Sequence, residues 1–150
     1  MLRDPALIPL SQQHHNSLAL CVLTERALRG DRSESTIRHL ATQAINRYEV
    51  ELTNHFAIEE QLLFPLIEHE LGKTPMVDGL IDEHRALERM IEEMRTAPSA
   101  QLLERFCDLL RTHIRREENE LFEDIQLRLP KDVLAATGKE IDARAIRVCL

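Results

Sequence analysis

A ten-residue pattern occurs twice in this chain, 58 residues apart. His55-x-x-x-Glu59-Glu60-x-x-Leu63-Phe64 returns as His113-x-x-x-Glu117-Glu118-x-x-Leu121-Phe122. On an α-helix, residues i and i+4 lie on one face, a turn apart. Each copy therefore sets an imidazole beside a carboxylate inside a stripe that is otherwise apolar. Leaving such groups unpaired in a core costs on the order of several kcal/mol each. A fold that buries both stripes must bring the two polar pairs to partners, and this narrows the possible arrangements more than any other feature.

The rest of the chain divides into helical segments. The first is predicted from about Ser11 to Arg29, ending at Gly30-Asp31. The second runs from about Ser35 to Phe64, with Pro65 a kink or stop before a last turn that ends near Gly72. The third starts at Thr74-Pro75, a capping residue followed by a proline at the first helical position, and ends before Ala97-Pro98. The fourth runs from Ser99 to about Leu129, closed by Pro130. Residues 131–150, interrupted by Gly138, read as a short helix and a loose end. Short connections make successive helices antiparallel neighbours. The expected fold class is all-α: one domain over 1–150, an up-down-up-down antiparallel four-helix bundle (core about 7–129) with a short C-terminal extension.

Periodicity then selects the inward faces. Leu52, His55, Glu59, Leu62 and Leu66 share a stripe on the second helix. Leu102, Phe106, Leu109, Leu110, His113, Glu117 and Leu121 do so on the fourth, and Val77, Leu80, Ile81, Leu87 and Ile91 surround His84 on the third. On the first helix, His14 sits within the stripe Leu7, Leu10, Leu18, Cys21, Leu28. His15 instead aligns by local pattern, since His15-Asn16-Ser17-Leu18 matches His84-Arg85-Ala86-Leu87. One of the two is expected to complete the set, and the pattern leaves the choice open. A single metal centre held by His14 or His15, His55, Glu59, His84, His113 and Glu117 satisfies every buried polar group at once. The alternative is a metal-free network of Glu–His pairs.

These residues, in this order and on these helices, resemble the hemerythrin-like family, also called HHE cation-binding domains, over roughly residues 7–129. The family carries a His on the first helix, His-x-x-x-Glu on the second, a His on the third, and a His with a carboxylate on the fourth. Oxygen-carrying members have a second His one turn after the third-helix His, where this chain has Glu88, and a fourth-helix His followed five residues later by Asp. Here Glu117 stands at four and Glu118 at five. The chain thus looks like the H–HxxxE–H–HxxxE variant. That variant occurs in bacterial proteins linked to nitrosative stress and iron-centre repair, and in the iron-sensing domain of a ubiquitin ligase subunit. The resemblance implies two iron ions bridged by Glu carboxylates and an oxo or hydroxo group, with manganese or zinc as other candidates. A donor set of imidazoles and carboxylates without thiolate suits iron or manganese better than structural zinc. One His fewer than in the carriers leaves an open position for O2, peroxide or NO, unless Glu88 fills it.

The remaining polar residues carry weaker signals. Tyr48 shares the His55 face and either approaches the centre or bonds elsewhere. Glu25, Arg47 and Glu51 form either a buried ion network or a solvated patch. Glu60 and Glu118 sit one residue off the ligand face, in supporting or surface positions. His39 and His69 read as surface residues, and Asp82, Glu83, Arg115 and Arg116 as solvated faces. Ile141, Ile146 and Val148 are expected to pack on the bundle or on a second subunit.

Composition bounds the function. A formal charge of −7, with no basic patch interleaved with aromatics, argues against nucleic-acid binding. No apolar run approaches ~18 residues, and the N-terminal residues lack a signal peptide's apolar region, so no membrane association is expected. Cys21, Cys107 and Cys149 are widely spaced and read as reduced thiols of a cytoplasmic protein. The expected function is a non-haem di-iron protein that binds or reacts with a small oxidant (O2, peroxide or NO) in stress or iron handling, as monomer or homodimer. A module for iron or oxygen sensing, or for metal storage, is the alternative, and a purely structural bundle is a third possibility.

Overall fold

The structure, a computed structural model, describes residues 1–148; Cys149 and Leu150 lie outside the described residues. Among the described residues there are five helices and no strands. A 3-10 turn, Pro5–Leu7, capped by the Asp4 carboxylate on the Ala6 amide, leads into α1 (Ile8–Gly30). Helix α2 spans residues 34–71, α3 is Pro75–Thr96, α4 spans residues 100–128, and α5 is Lys131–Arg144. The connections 31–33, 72–74, 97–99 and 129–130 are two or three residues long, so α1 to α4 form an antiparallel bundle. Ser33, Thr74 and Ser99 each cap the next helix by accepting from a backbone amide of its first turn. Gly72 closes α2 at φ +86°, a backbone conformation that favours glycine.

Two expected boundaries give way. Pro65 does not stop α2, which continues to Leu71 and closes at Gly72, where its last turn is expected to end. It comes directly after a π-helical turn, Glu59–Leu63. Gly138 does not interrupt α5 either. Its missing side chain lets the helix close on the first turn of the chain: a Cβ there would lie 2.7 Å from Ala6 Cα. Ile141 is thereby buried within the bundle's own core, while Ile146 is exposed.

The π-turns matter most for the site. One spans Tyr48–Leu52, before His55; the others are Glu59–Leu63 and Glu117–Leu121, at the same place in each copy of the repeat. Each adds a residue to one turn and so shifts the rest of its helix by one position. Leu63, Phe64 and Ile67 are buried as a result, whereas Leu62 and Leu66, expected inside, are only half-buried.

Two apolar clusters fill the bundle. One gathers Cys21, Leu28, Phe56, Ile91, Phe106 and Leu110; the other gathers Leu7, Leu10, Leu63, Leu80, Phe122 and Ile125. On α1 and α3 the buried His14 and His84 fall between the two clusters, and on α2 and α4 the buried His55, Glu59, His113 and Glu117 fall where one cluster gives way to the other. They form a polar layer inside an apolar interior.

Candidate metal centre

Six side chains compose this layer: His14 from α1, His55 and Glu59 from α2, His84 from α3, and His113 and Glu117 from α4. All are buried, none more than 4 % exposed. They make two overlapping clusters, His14–His55–Glu59–Glu117 and Glu59–His84–His113–Glu117, each with its ligand-type atoms within 4.8 Å of one another. Glu59 and Glu117 belong to both. The rings pair within each half, with centroids 4.6 Å apart for His14–His55 and 4.8 Å for His84–His113.

Every imidazole is held from behind at Nδ1. His14 Nδ1 lies 3.2 Å from Glu118, His84 Nδ1 2.8 Å from Glu60, and His113 Nδ1 2.9 Å from Glu83. His55 Nδ1 lies 2.9 Å from the amide oxygen of Gln13. All four partners offer an acceptor, so each Nδ1 carries its proton and each Nε2 keeps a lone pair. Those lone pairs face the shared carboxylates: His84 Nε2 and His55 Nε2 stand 3.1 and 3.3 Å from Glu59 Oε1, and His14 Nε2 stands 3.7 Å from Glu117 Oε2. His113 Nε2 is paired with Glu117 Oε1. None of the four Nε2 atoms or the four carboxylate oxygens has a hydrogen-bond partner. Eight acceptor atoms converging in a buried interior repel one another, and a cation among them relieves that repulsion, so this donor set fits a metal pair.

Protonation agrees with that fit. Burial, reinforced by His55, pushes the His14 pKa down to about 4, against the opposing pull of Glu118. Burial also lowers His113, although Glu83 opposes it. Neutral imidazoles and ionised carboxylates are the forms that bind metal.

The helices relate the halves by an approximate twofold. His55 corresponds to His113, Glu59 to Glu117 and His14 to His84. Glu60 of the first copy supports His84 and Glu118 of the second supports His14, each across the bundle. The phenylalanine that ends each copy packs the same way: Phe64 stacks on His84, and Phe122 on His14.

Residues 9–125 match the profile of the hemerythrin HHE cation binding domain. The chain belongs to this family. No match was found among curated proteins or among solved structures. Of the two first-helix candidates in this hemerythrin-family chain, His14 enters the layer and His15 is exposed. One step along a helix turns a side chain by about 100°, so with His14 directed into the layer His15 is turned outward. The local match of His15 to His84 is misleading, because His14 is the residue that occupies the equivalent place. Glu88 is turned away from the layer and pairs with Arg85, 2.7 Å distant. Glu83, expected on a solvated face, instead bonds His113, and half-buried Arg116 holds its other oxygen at 2.7 Å. Asp82 and Arg115 are not drawn into the layer, and His39 and His69 are exposed.

Sequence reasoning misses Gln13 altogether. It lies directly before His14 as Glu83 lies directly before His84, and that shared offset is the available signal. Glu51 is fully buried and accepts from Asn16 at 2.9 Å, with Arg47 3.9 Å away. Glu25 pairs elsewhere, with Arg111. Tyr48 packs against the apolar cluster that contains Phe56.

Proposed function

We propose that this protein is a non-haem di-iron protein whose buried centre binds or reacts with a small oxidant: O2, peroxide or NO. The observation that carries the reading is the convergence of four Nε2 lone pairs and two carboxylates, all without hydrogen-bond partners, in two clusters that share both glutamates. His14 and His55 would hold one iron, His84 and His113 the other, with Glu59 and Glu117 reaching both. Such a pair supplies redox chemistry and Lewis acidity. Each cluster offers four donors, fewer than iron commonly takes, which favours an added small ligand.

The chain's own residues set the conditions for that chemistry. Glu118, Gln13, Glu60 and Glu83 hold each proton on Nδ1 and fix the ring orientations, which raises ligand basicity where the acceptor is a carboxylate. Phe56, its centroid 3.9 Å from that of His84, and Phe64 and Phe122 cover the rings with apolar surface and exclude water. Low local polarity strengthens every charge interaction within the layer. Glu88, paired with Arg85, lies outside both clusters, and this supports a site open to a small exogenous ligand.

The reading also includes a reducing, cytoplasmic setting, supported by the unpaired thiols of buried Cys21 and Cys107. Among the described residues no helix is long and apolar enough to cross a membrane. Anaerobic loading with ferrous iron, then separate exposure to air, peroxide and NO, tests the function. A near-ultraviolet charge-transfer band that responds to at least one of the three, and that is lost in His55→Ala and in His113→Ala, is expected. An iron-loaded protein whose spectrum ignores all three contradicts the reading.

A further inference from the structure

The segment after α5 returns to the bundle beside the His14/His55 half. Asn54 Nδ2 donates to the Arg144 carbonyl at 2.9 Å, and the Ile146 amide donates to Asn54 Oδ1 at 3.0 Å. These two bonds fix which way the Asn54 amide faces. Gln13 Nε2 then donates to both Asn54 Oδ1 (2.9 Å) and the Ile146 carbonyl (3.0 Å). With both amide hydrogens committed to oxygens, Gln13 can present only Oε1 to His55 Nδ1. An oxygen there requires the proton on Nδ1 and leaves the Nε2 lone pair directed into the cluster.

Resting on the di-metal reading, we propose that residues 144–146 act as a positioning strap: through Asn54 and Gln13 they set the tautomer of His55 and so make it competent to bind metal. The other three imidazoles need no such device. A carboxylate accepts at either oxygen and has no wrong orientation, whereas a glutamine amide turned by 180° would point a donor at Nδ1. Only the half that uses Gln13 in place of a carboxylate depends on a distant backbone. Beside the strap, a cleft of about 510 Å³ is lined by residues including Ile8, Gln12, His15 and Ile146, while Ala145 packs on the apolar cluster around Leu7 and Arg147 donates to Gln12 at 2.9 Å.

The test compares the full chain with one ended at Ala143, which removes the whole strap, each with and without Gln13→Glu. Two readouts are used: anaerobic retention of ferrous iron against a chelator, and the ring-nitrogen NMR shifts of His55 in metal-free protein at mildly alkaline pH. Ending the chain at Ala143 is expected to weaken one of the two bound irons by about ten- to a hundredfold, leaving the other unchanged. His55 should then show mixed tautomers. In the shortened chain Gln13→Glu should restore both readouts, because a carboxylate needs no orienting partner. In the full chain the same substitution should weaken iron retention, since it sets a carboxylate against two oxygens. A merely structural strap would not be rescued by Gln13→Glu. Should the shortened chain lose its helicity, Asn54→Ala in the full chain serves in its place, with the same expected loss.

Unchanged retention and an unchanged His55 tautomer in the shortened chain would overturn the proposal, as would failure of the rescue. A full chain that binds no iron would sink the di-metal reading and, with it, the metal role of the strap. The tautomer would then still show whether the strap acts on His55.

Discussion

The two halves of the metal centre are built alike and supported differently. His84 and His113 are both backed by carboxylates, Glu60 and Glu83, which Arg85 and Arg116 in turn hold. His14 has a carboxylate behind it, Glu118, but His55 has the neutral amide of Gln13. A carboxylate draws the Nδ1 proton towards itself and makes the opposite nitrogen a stronger donor; an amide does so less. The approximate twofold is thus kept by the atoms that face the cavity and lost one layer out. A metal held by His55 would therefore meet the more electrophilic environment, and equal ligand sets do not imply equal sites.

The largest effect should come from the residues common to both halves. Glu117→Ala or Glu59→Ala removes a donor from each cluster, and retention of both irons should fall by more than about a hundredfold, read by metal analysis after gel filtration. Loss of only one iron would show that the carboxylate is not shared.

Acid is expected to act on the two halves in the same direction. In metal-free protein the folded pKa of His14 is about 4 against 6.5 for the ordinary side chain, and that of His113 is also lowered. The unfolded chain therefore binds more protons across this window, and stability is full above about pH 6.5 and drains away as pH falls towards 4. The depressed His14 contributes to that loss, which is on the order of several kcal/mol for a shift of this size. Urea unfolding at a series of pH values measures the slope, which His14→Leu should reduce.

Making the halves alike is a subtler change. Glu83→Gln gives His113 an amide like that behind His55, and should weaken the iron of that half by about ten- to a hundredfold, as seen in chelator competition. Equal retention before and after would show that the difference in support has no consequence. The smallest effect belongs to the residues the structure turns away. Glu88→Ala and His15→Ala should leave iron retention unchanged and stability within about 0.5 kcal/mol, by chelator competition and urea unfolding.

Much of this is legible in the letters. The repeat puts an imidazole and a carboxylate on each of two helices, and the stripe around His84 puts a third imidazole beside them. Sequence separates His14 from His15 only weakly, since letter similarity favours His15 and the apolar face favours His14; face is the better guide because burial follows helix geometry. The shift at Leu62 and Leu66 is hidden, because a π-turn has no compositional mark. The pairing of Glu83 and Gln13 with ligand imidazoles is hidden for another reason. Both lie one residue off their stripes and reach the histidines of a different helix, a relation that emerges only once the helices pack.

The most direct test is iron per chain after anaerobic reconstitution with ferrous iron, measured with the Mössbauer spectrum of the air-oxidised protein. Two clusters sharing Glu59 and Glu117 predict two irons per chain, magnetically coupled. One iron per chain, or two uncoupled irons, would contradict a shared centre.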